Sequence, residues 1–183
     1  MLYTRKGDDG TTKTFGCDKR ISKSSKITEA LGTVDEINSL LGICKVSLEE
    51  EKIFFKELSL SSIVHGLQEA LFIVQAELAG ADKKVSEEKV LEVESIINGL
   101  EAEMPPIKSF FISGGTRAGA TLDFARTVSR RAERRVIEAN EEGSAKSDAN
   151  TLKFMNRLSS ILYALARYAN YSAGIEETPP SYK

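Results

Sequence analysis

The stretch from Asp148 to Ala173, DANTLKFMNRLSSILYALARYANYSA, decides the fold class. Leu152, Met155, Leu158, Leu162, Leu165 and Ala169 recur at three- and four-residue steps. That spacing lays them along one face of a helix. The pattern predicts a long amphipathic helix whose apolar side faces a core.

The same pattern recurs upstream. A helix is predicted from about Ala118 to Asn140, with Gly143 just beyond it as a stop. Before it, Ser86 can cap a helix whose first turn carries Glu87 and Glu88 and whose stripe is Val90, Val93, Ile97 and Leu100. Pro105 and Pro106 end that helix. Another helix is read from about Leu58 to Ala79, through Ile63, Leu67, Ala70, Leu71, Val74 and Leu78, with Gly80 near its end. The first begins near Ile27 and continues through Leu31, Val34, Asn38, Leu41 and Leu48. Five amphipathic helices with short connections predict an all-α five-helix bundle. Residues 1–25 are read as an extended arm, 26–173 as the bundle and 174–183 as a mobile tail, all within one domain. Phe110 to Gly115 is too short for a helix, has no strand neighbours and reads as a loop.

Composition agrees. The chain has 183 residues, 41% hydrophobic and 28% charged, with 4 prolines and no tryptophan, a balance that favours helices. The net charge of −2 and a pI near 5.7 argue against general binding to nucleic acid or anionic membrane. No window approaches ~18 consecutive apolar residues, so no membrane span is expected. The N-terminal residues lack the apolar core of a signal peptide. Cys17 and Cys44 are too few for a zinc site and read as reduced thiols, which suits the cytoplasm.

Four segments carry candidate chemistry. Thr4-Arg5-Lys6-Gly7-Asp8-Asp9-Gly10-Thr11-Thr12-Lys13 combines glycines, hydroxyls and cations, which together can cradle an oxyanion. It lacks the spacing of a Walker A loop, and its composition also suits a solvated terminus. Arg126, Arg130 and Arg134 fall on one side of a helix, with Arg131 and Arg135 in an adjacent row. Arginine suits phosphate through its fork of donors, and Glu133 could orient a guanidinium or meet a metal-bound nucleotide. A solvated face with a local Arg134–Glu138 pair fits the pattern equally. Asp35 and Asn38 lie one turn apart beside an apolar seam, where an exposed acid is the plainer reading. Asn156-Arg157-Leu158-Ser159-Ser160 is either a polar contact or a surface patch. His65 is the only histidine, and with Ser62 three positions before it no Glu-x-x-His di-metal motif exists. It reads as an ordinary helix residue, and no side-chain metal site is expected.

In this order the segments resemble the PduO-type cobalamin adenosyltransferases. The resemblance rests on Thr4 through Thr12 followed by Arg20 and Lys23, then Gly32-Thr33-Val34-Asp35-Glu36-Ile37-Asn38-Ser39. It continues with Phe110 through Thr116, Ala125-Arg126-Thr127-Val128, Arg130-Arg131-Ala132-Glu133-Arg134 and Asn156-Arg157-Leu158-Ser159. It implies a homotrimer with sites between subunits and an arm that folds over ATP. It places Thr4, Arg5, Lys6, Gly7, Thr12, Lys13 and Lys23 at nucleotide-binding positions, together with Arg130, Arg131, Ala132, Glu133, Arg134 and Asn156. Asp35 and Arg126 would form a salt bridge at the subunit contact. Phe110 would lie under the corrin and displace its lower ligand. The implied reaction moves the 5′-deoxyadenosyl group of Mg²⁺-ATP to the cobalt of cob(I)alamin, with Lys23, Arg130 and Arg134 stabilising the departing triphosphate; a corrinoid reductase is a further implied partner. Ser113 stands where the family usually has proline, and Ser160 where it usually has aspartate. A non-enzymatic carrier or sensor of nucleotide or corrinoid would use the same motifs, and turnover separates the two.

Overall fold

The computed structural model describes residues 3–15 and 17–183. Of the arm read over 1–25, Met1, Leu2 and Gly16 lie outside the described residues. The helices are α1 (Lys26–Glu51), α2 (Leu60–Leu78), α3 (Glu87–Glu103), α4 (Arg117–Glu141) and α5 (Ala149–Ser172). Two short antiparallel ladders accompany them: β1 (Thr11–Thr12) with β2 (Ile21–Ser22), and β3 (Phe54–Phe55) with β4 (Leu58–Ser59).

Side-chain chemistry sets the helix starts. The hydroxyls of Ser59, Ser86 and Thr116 accept from the backbone N–H three residues on, and the Asp148 carboxylate accepts from Asn150 N–H. The ends follow backbone rules. Lys52 turns α1 off in the left-handed region at φ 51°, and Met104 is already extended ahead of Pro105.

α2 packs on α1, α1 on α4, α4 on α5, and α5 on α3. α1 and α4 run antiparallel, because Lys26 meets Glu138 near one end while Glu50 meets Arg117 at the other. Ile37 and Leu41 of α1, Leu122 of α4 and Phe154 and Leu158 of α5 are fully buried in one continuous core. Each such side chain contributes about 1.5–3 kcal/mol through burial.

Two features depart from the sequence reading. Leu58 does not begin α2; it pairs with Phe55 in the β3–β4 hairpin, where Lys56 takes φ 54° in the turn. The aromatic pair Phe54–Phe55 favours a strand, and Phe55 is buried against Gly99 and Tyr168. The tail is also tied down: Thr178 C=O accepts from Ile112 N–H at 2.8 Å, and Glu177 pairs with Arg167.

Candidate active site

The arm is held in shape by Arg20. Its guanidinium donates to the carbonyls of Lys6 and Thr11 and to the Thr11 hydroxyl, and it lies 3.4 Å from Asp9. Asp9 accepts from the Thr11 N–H at 3.0 Å and from the Thr11 hydroxyl at 2.7 Å, and these bonds hold its carboxyl below the usual range. Lys23 Nζ donates to Gly7 C=O at 2.8 Å, and Lys23 N–H donates to Gly10 C=O. Thr4, Arg5, Lys6, Gly7, Thr12, Lys13 and Lys23 therefore sit in one folded segment. Arg5 takes φ 59° and lies over the Tyr3 ring, and Lys13 meets Asp18 at 3.1 Å.

The arginine rows on α4 have separate fates. Arg131 pairs with Glu36 of α1 at 2.6 Å. Arg135 pairs with Glu138 at 2.8 Å and with Glu29 at 3.6 Å. The Arg134–Glu138 pair of the alternative reading does not form; Glu138 pairs with Arg135, whose row faces α1 and Glu29. Arg130 and Arg134 are exposed and make no ion pair among the described residues. Ala132 is fully buried in the core. Glu133 Oε1 accepts from Asn156 Nδ2 at 2.8 Å, and Arg157 donates to Asn156 Oδ1 at 2.7 Å and to Glu94. Glu133 and Asn156 are thus brought together across α4 and α5, beside two unpaired cations.

The Phe110 loop, Arg126 and Arg130 converge. Phe110 is 80% exposed and borders an open cavity of about 580 Å³ that Arg126, Arg130, Asp123, Ser160 and Tyr163 also line. Arg126 Nε donates to Asp123 Oδ1 at 2.6 Å, and its guanidinium lies 5.9 Å from the centre of the Tyr163 ring. Ser113 and Ser160, both departures from the family pattern, lie on the same cavity. Burial pushes the Tyr163 hydroxyl up.

Asp35 lies apart. It is exposed on α1, accepts from Gln75 Nε2 at 3.4 Å, and borders an apolar groove with Phe15, Leu31 and Phe72. Within one chain Asp35 and Arg126 do not pair, and no hydrogen bond or ion pair joins the described arm residues to Arg130, Arg131, Glu133 or Arg134. Asn38 is buried, and its Oδ1 has no partner among the described residues. His65 is an exposed helix residue 4.0 Å from Glu69. Cys44 is buried and its thiol is pushed up to about 11, whereas Cys17 is exposed. No group of three or more metal-ligating side chains, and no helix long and apolar enough to cross a membrane, occurs among the described residues.

Sequence reasoning missed Asp123, Tyr163, Arg167, Asn170 and Glu177. Asp123 had a signal in its three-residue spacing to Arg126 on the same helix. The others had none: Tyr163 and Asn170 meet partners far along the chain, and the Arg167–Glu177 pair forms only because the tail folds back past the end of α5.

Known proteins point the same way. A family model described as cobalamin adenosyltransferase matches residues 2–169. The chain is 37% identical over 186 residues to a corrinoid adenosyltransferase of Citrobacter freundii, covering 98% of this chain and 96% of that protein. It is 36% identical to the corrinoid adenosyltransferase PduO of the same organism, of which it spans only 50%. The fold superposes with a TM-score of 0.87, at 31% identity and 99% coverage of both chains, on a variant PduO-type ATP:corrinoid adenosyltransferase of Lactobacillus reuteri complexed with cobalamin and ATP. From a match that runs through both the arm and the bundle, the chain belongs to the cobalamin adenosyltransferase family.

Proposed function

We propose that this chain transfers the 5′-deoxyadenosyl group of ATP to the Co(I) of a reduced corrinoid. The cobalt attacks the ribose 5′ carbon, a Co–C bond forms, the C–O bond to the phosphate chain breaks, and triphosphate leaves with both electrons of that bond. The observation that carries this reading is the convergence of Phe110, Arg126 and Arg130 on one open cavity. An exposed aromatic beside unpaired guanidinium suits a flat, apolar macrocycle next to a polyphosphate.

The protein's part is positioning and electrostatics. Arg130 and Arg134, free of protein anions, receive the triphosphate, and Lys23 completes the cradle from the arm. Mg²⁺ arrives with ATP; Glu133 spends one oxygen on Asn156 and can offer the other to the ion. Phe110 shields the lower face of the corrin from water and from its lower ligand, which eases reduction of Co(II). No group acts as general acid or base, in keeping with a lone, exposed His65.

The reading includes a homotrimer with sites between subunits. Its support is that, within one chain, no hydrogen bond or ion pair joins the described arm residues to the free arginines, or Asp35 to Arg126. Two copies can bring each pair together, Asp35 of one reaching Arg126 of the next. A corrinoid reductase is the proposed source of the electron, and the cytoplasm, which also keeps Cys17 and Cys44 reduced, is the proposed location.

The test is anaerobic: chemically reduced cob(I)alamin and Mg²⁺-ATP are mixed with the protein and the visible spectrum is followed. Conversion to adenosylcobalamin that needs both protein and ATP is the expected result. Binding of ATP or corrinoid without conversion would replace the transferase with a carrier.

A further inference from the structure

The loop that carries Phe110 has no regular structure between Glu103 and Arg117, and it ends in two glycines with φ of 142° and 97°. Past Pro106 its own sequence gives it little stiffness. It is nonetheless held from behind by the end of α5 and by the tail. Arg167 on α5 is 5% exposed, and a guanidinium buried so far is strongly destabilising unless fully paired. Its Nε donates to Glu177 Oε1 at 2.6 Å, and its Nη2 donates to Glu177 Oε2 at 2.7 Å and to Pro105 C=O at 3.0 Å. The guanidinium also lies 5.6 Å from the centre of the Phe111 ring, next to Phe110. One residue past this pair, Thr178 C=O accepts from Ile112 N–H at 2.8 Å. One turn further along α5, the Asn170 amide spans the far end of the loop, donating to Gly114 C=O and accepting from Thr116 N–H, each at 2.9 Å.

These bonds fasten the loop at Pro105, Phe111, Ile112, Gly114 and Thr116. Phe110 itself is left facing the cavity, and none of the fastening side chains needs to touch substrate. We propose that Arg167, Glu177 and Asn170 are positioning residues for Phe110, and that residues 175–178 form a strap that fixes the loop against the lower face of the corrin. This inference rests on the role given to Phe110 under Proposed function. The strap acts on the step that Phe110 serves, activation of the Co(II) corrinoid, and leaves the triphosphate cradle alone.

The test compares wild type, Glu177→Gln, a chain truncated after Gly174, and Phe110→Ala. Rates are measured from chemically reduced Co(I) and from Co(II) with reduced flavin as donor, and hydrogen exchange is followed at residues 107–114. Glu177→Gln is expected to lower the Co(II) rate by about tenfold, the size of one lost charge-assisted bond. Its KM for ATP and its Co(I) rate stay within about twofold, a change worth only a few tenths of a kcal/mol. Exchange at 107–114 quickens in the free protein. The truncated chain, whose Arg167 becomes solvated rather than buried alone, shows the same split more strongly. Unchanged exchange and an unchanged Co(II) rate in Glu177→Gln would overturn the proposal. So would equal losses from Co(I) and Co(II) with a raised KM for ATP, which mark a general folding defect. Full Co(II) activity in Phe110→Ala would instead sink the role given to Phe110, and the exchange data would then decide the strap alone.

Discussion

Arg130 and Arg134 differ from their neighbours in having no acid to answer them among the described residues, while Arg131 and Arg135 are engaged by Glu36, Glu29 and Glu138. A free guanidinium facing an open cavity keeps its donors for a ligand. Arg130→Ala should therefore lower kcat/KM for ATP by about 10- to 100-fold, the equivalent of one charge-assisted contact, with the circular dichroism spectrum unchanged. Wild-type kinetics would remove Arg130 from the site. For Phe110→Ala the expected change is selective, with activity from Co(II) lost and activity from Co(I) largely kept. The buried acids give a pH signature. Burial raises the Cys44 thiol from 9.0 to about 11, and it raises the Tyr163 and Tyr168 hydroxyls as well, with the bond to Glu103 adding to the effect at Tyr168. A raised value means that the native fold holds the proton more tightly than the unfolded chain. Stability from these groups is full below their ordinary values and declines as pH rises through the raised ones. The urea midpoint should fall between pH 9 and 11, and Cys44→Ala should make that fall shallower.

At the scale of elements, the α4 start joins fold to site. Thr116 caps α4 through its hydroxyl to Gly119 N–H, while its own N–H is held by Asn170. Thr116→Ala should cost about 1 kcal/mol, read as a lower melting temperature. Gly119 has a different reason to lack a side chain: a Cβ there would overlap the Asn170 amide. Gly119→Ala should displace Asn170 and free Gly114 C=O and Thr116 N–H, destabilising the protein by about 1–3 kcal/mol. The gain of up to ~1 kcal/mol in helix propensity does not offset that loss. A more stable Gly119→Ala protein would contradict the packing of α5 on this turn. The helices themselves were legible, since Ser86 with Glu87 and Glu88, and Pro105 with Pro106, mark both ends of α3 in the sequence. The β3–β4 hairpin was not, because Leu58 stands only two residues before Leu60, where α2 begins, and Phe55 docks against Gly99 and Tyr168, which lie far along the chain.

At the scale of the whole molecule the prediction concerns assembly. Asp35, bordered by Phe15 and Phe72, and Arg126, bordered by Tyr163, sit on separate surfaces of one chain. If a second copy joins them, sedimentation should give three times the 20.1 kDa chain mass, and Asp35→Ala and Arg126→Ala should show a coupling of about 0.5–3 kcal/mol in a double-mutant cycle on activity. Strict additivity would separate the two residues. The sequence by itself determined the all-α class, the five helices and the motifs of the site, because helical period, caps and prolines act over a few residues. It also set Asp123 three residues before Arg126 on one helix. Only the tertiary structure decided which arginines are free, that Phe110, Arg126 and Arg130 share one cavity, and that Glu177 and Thr178 fasten the Phe110 loop. Those outcomes depend on acids and carbonyls brought in from distant parts of the chain. The pairing of Arg131 with Glu36 spans 95 residues and that of Thr178 with Ile112 spans 66, distances over which no local periodicity carries information.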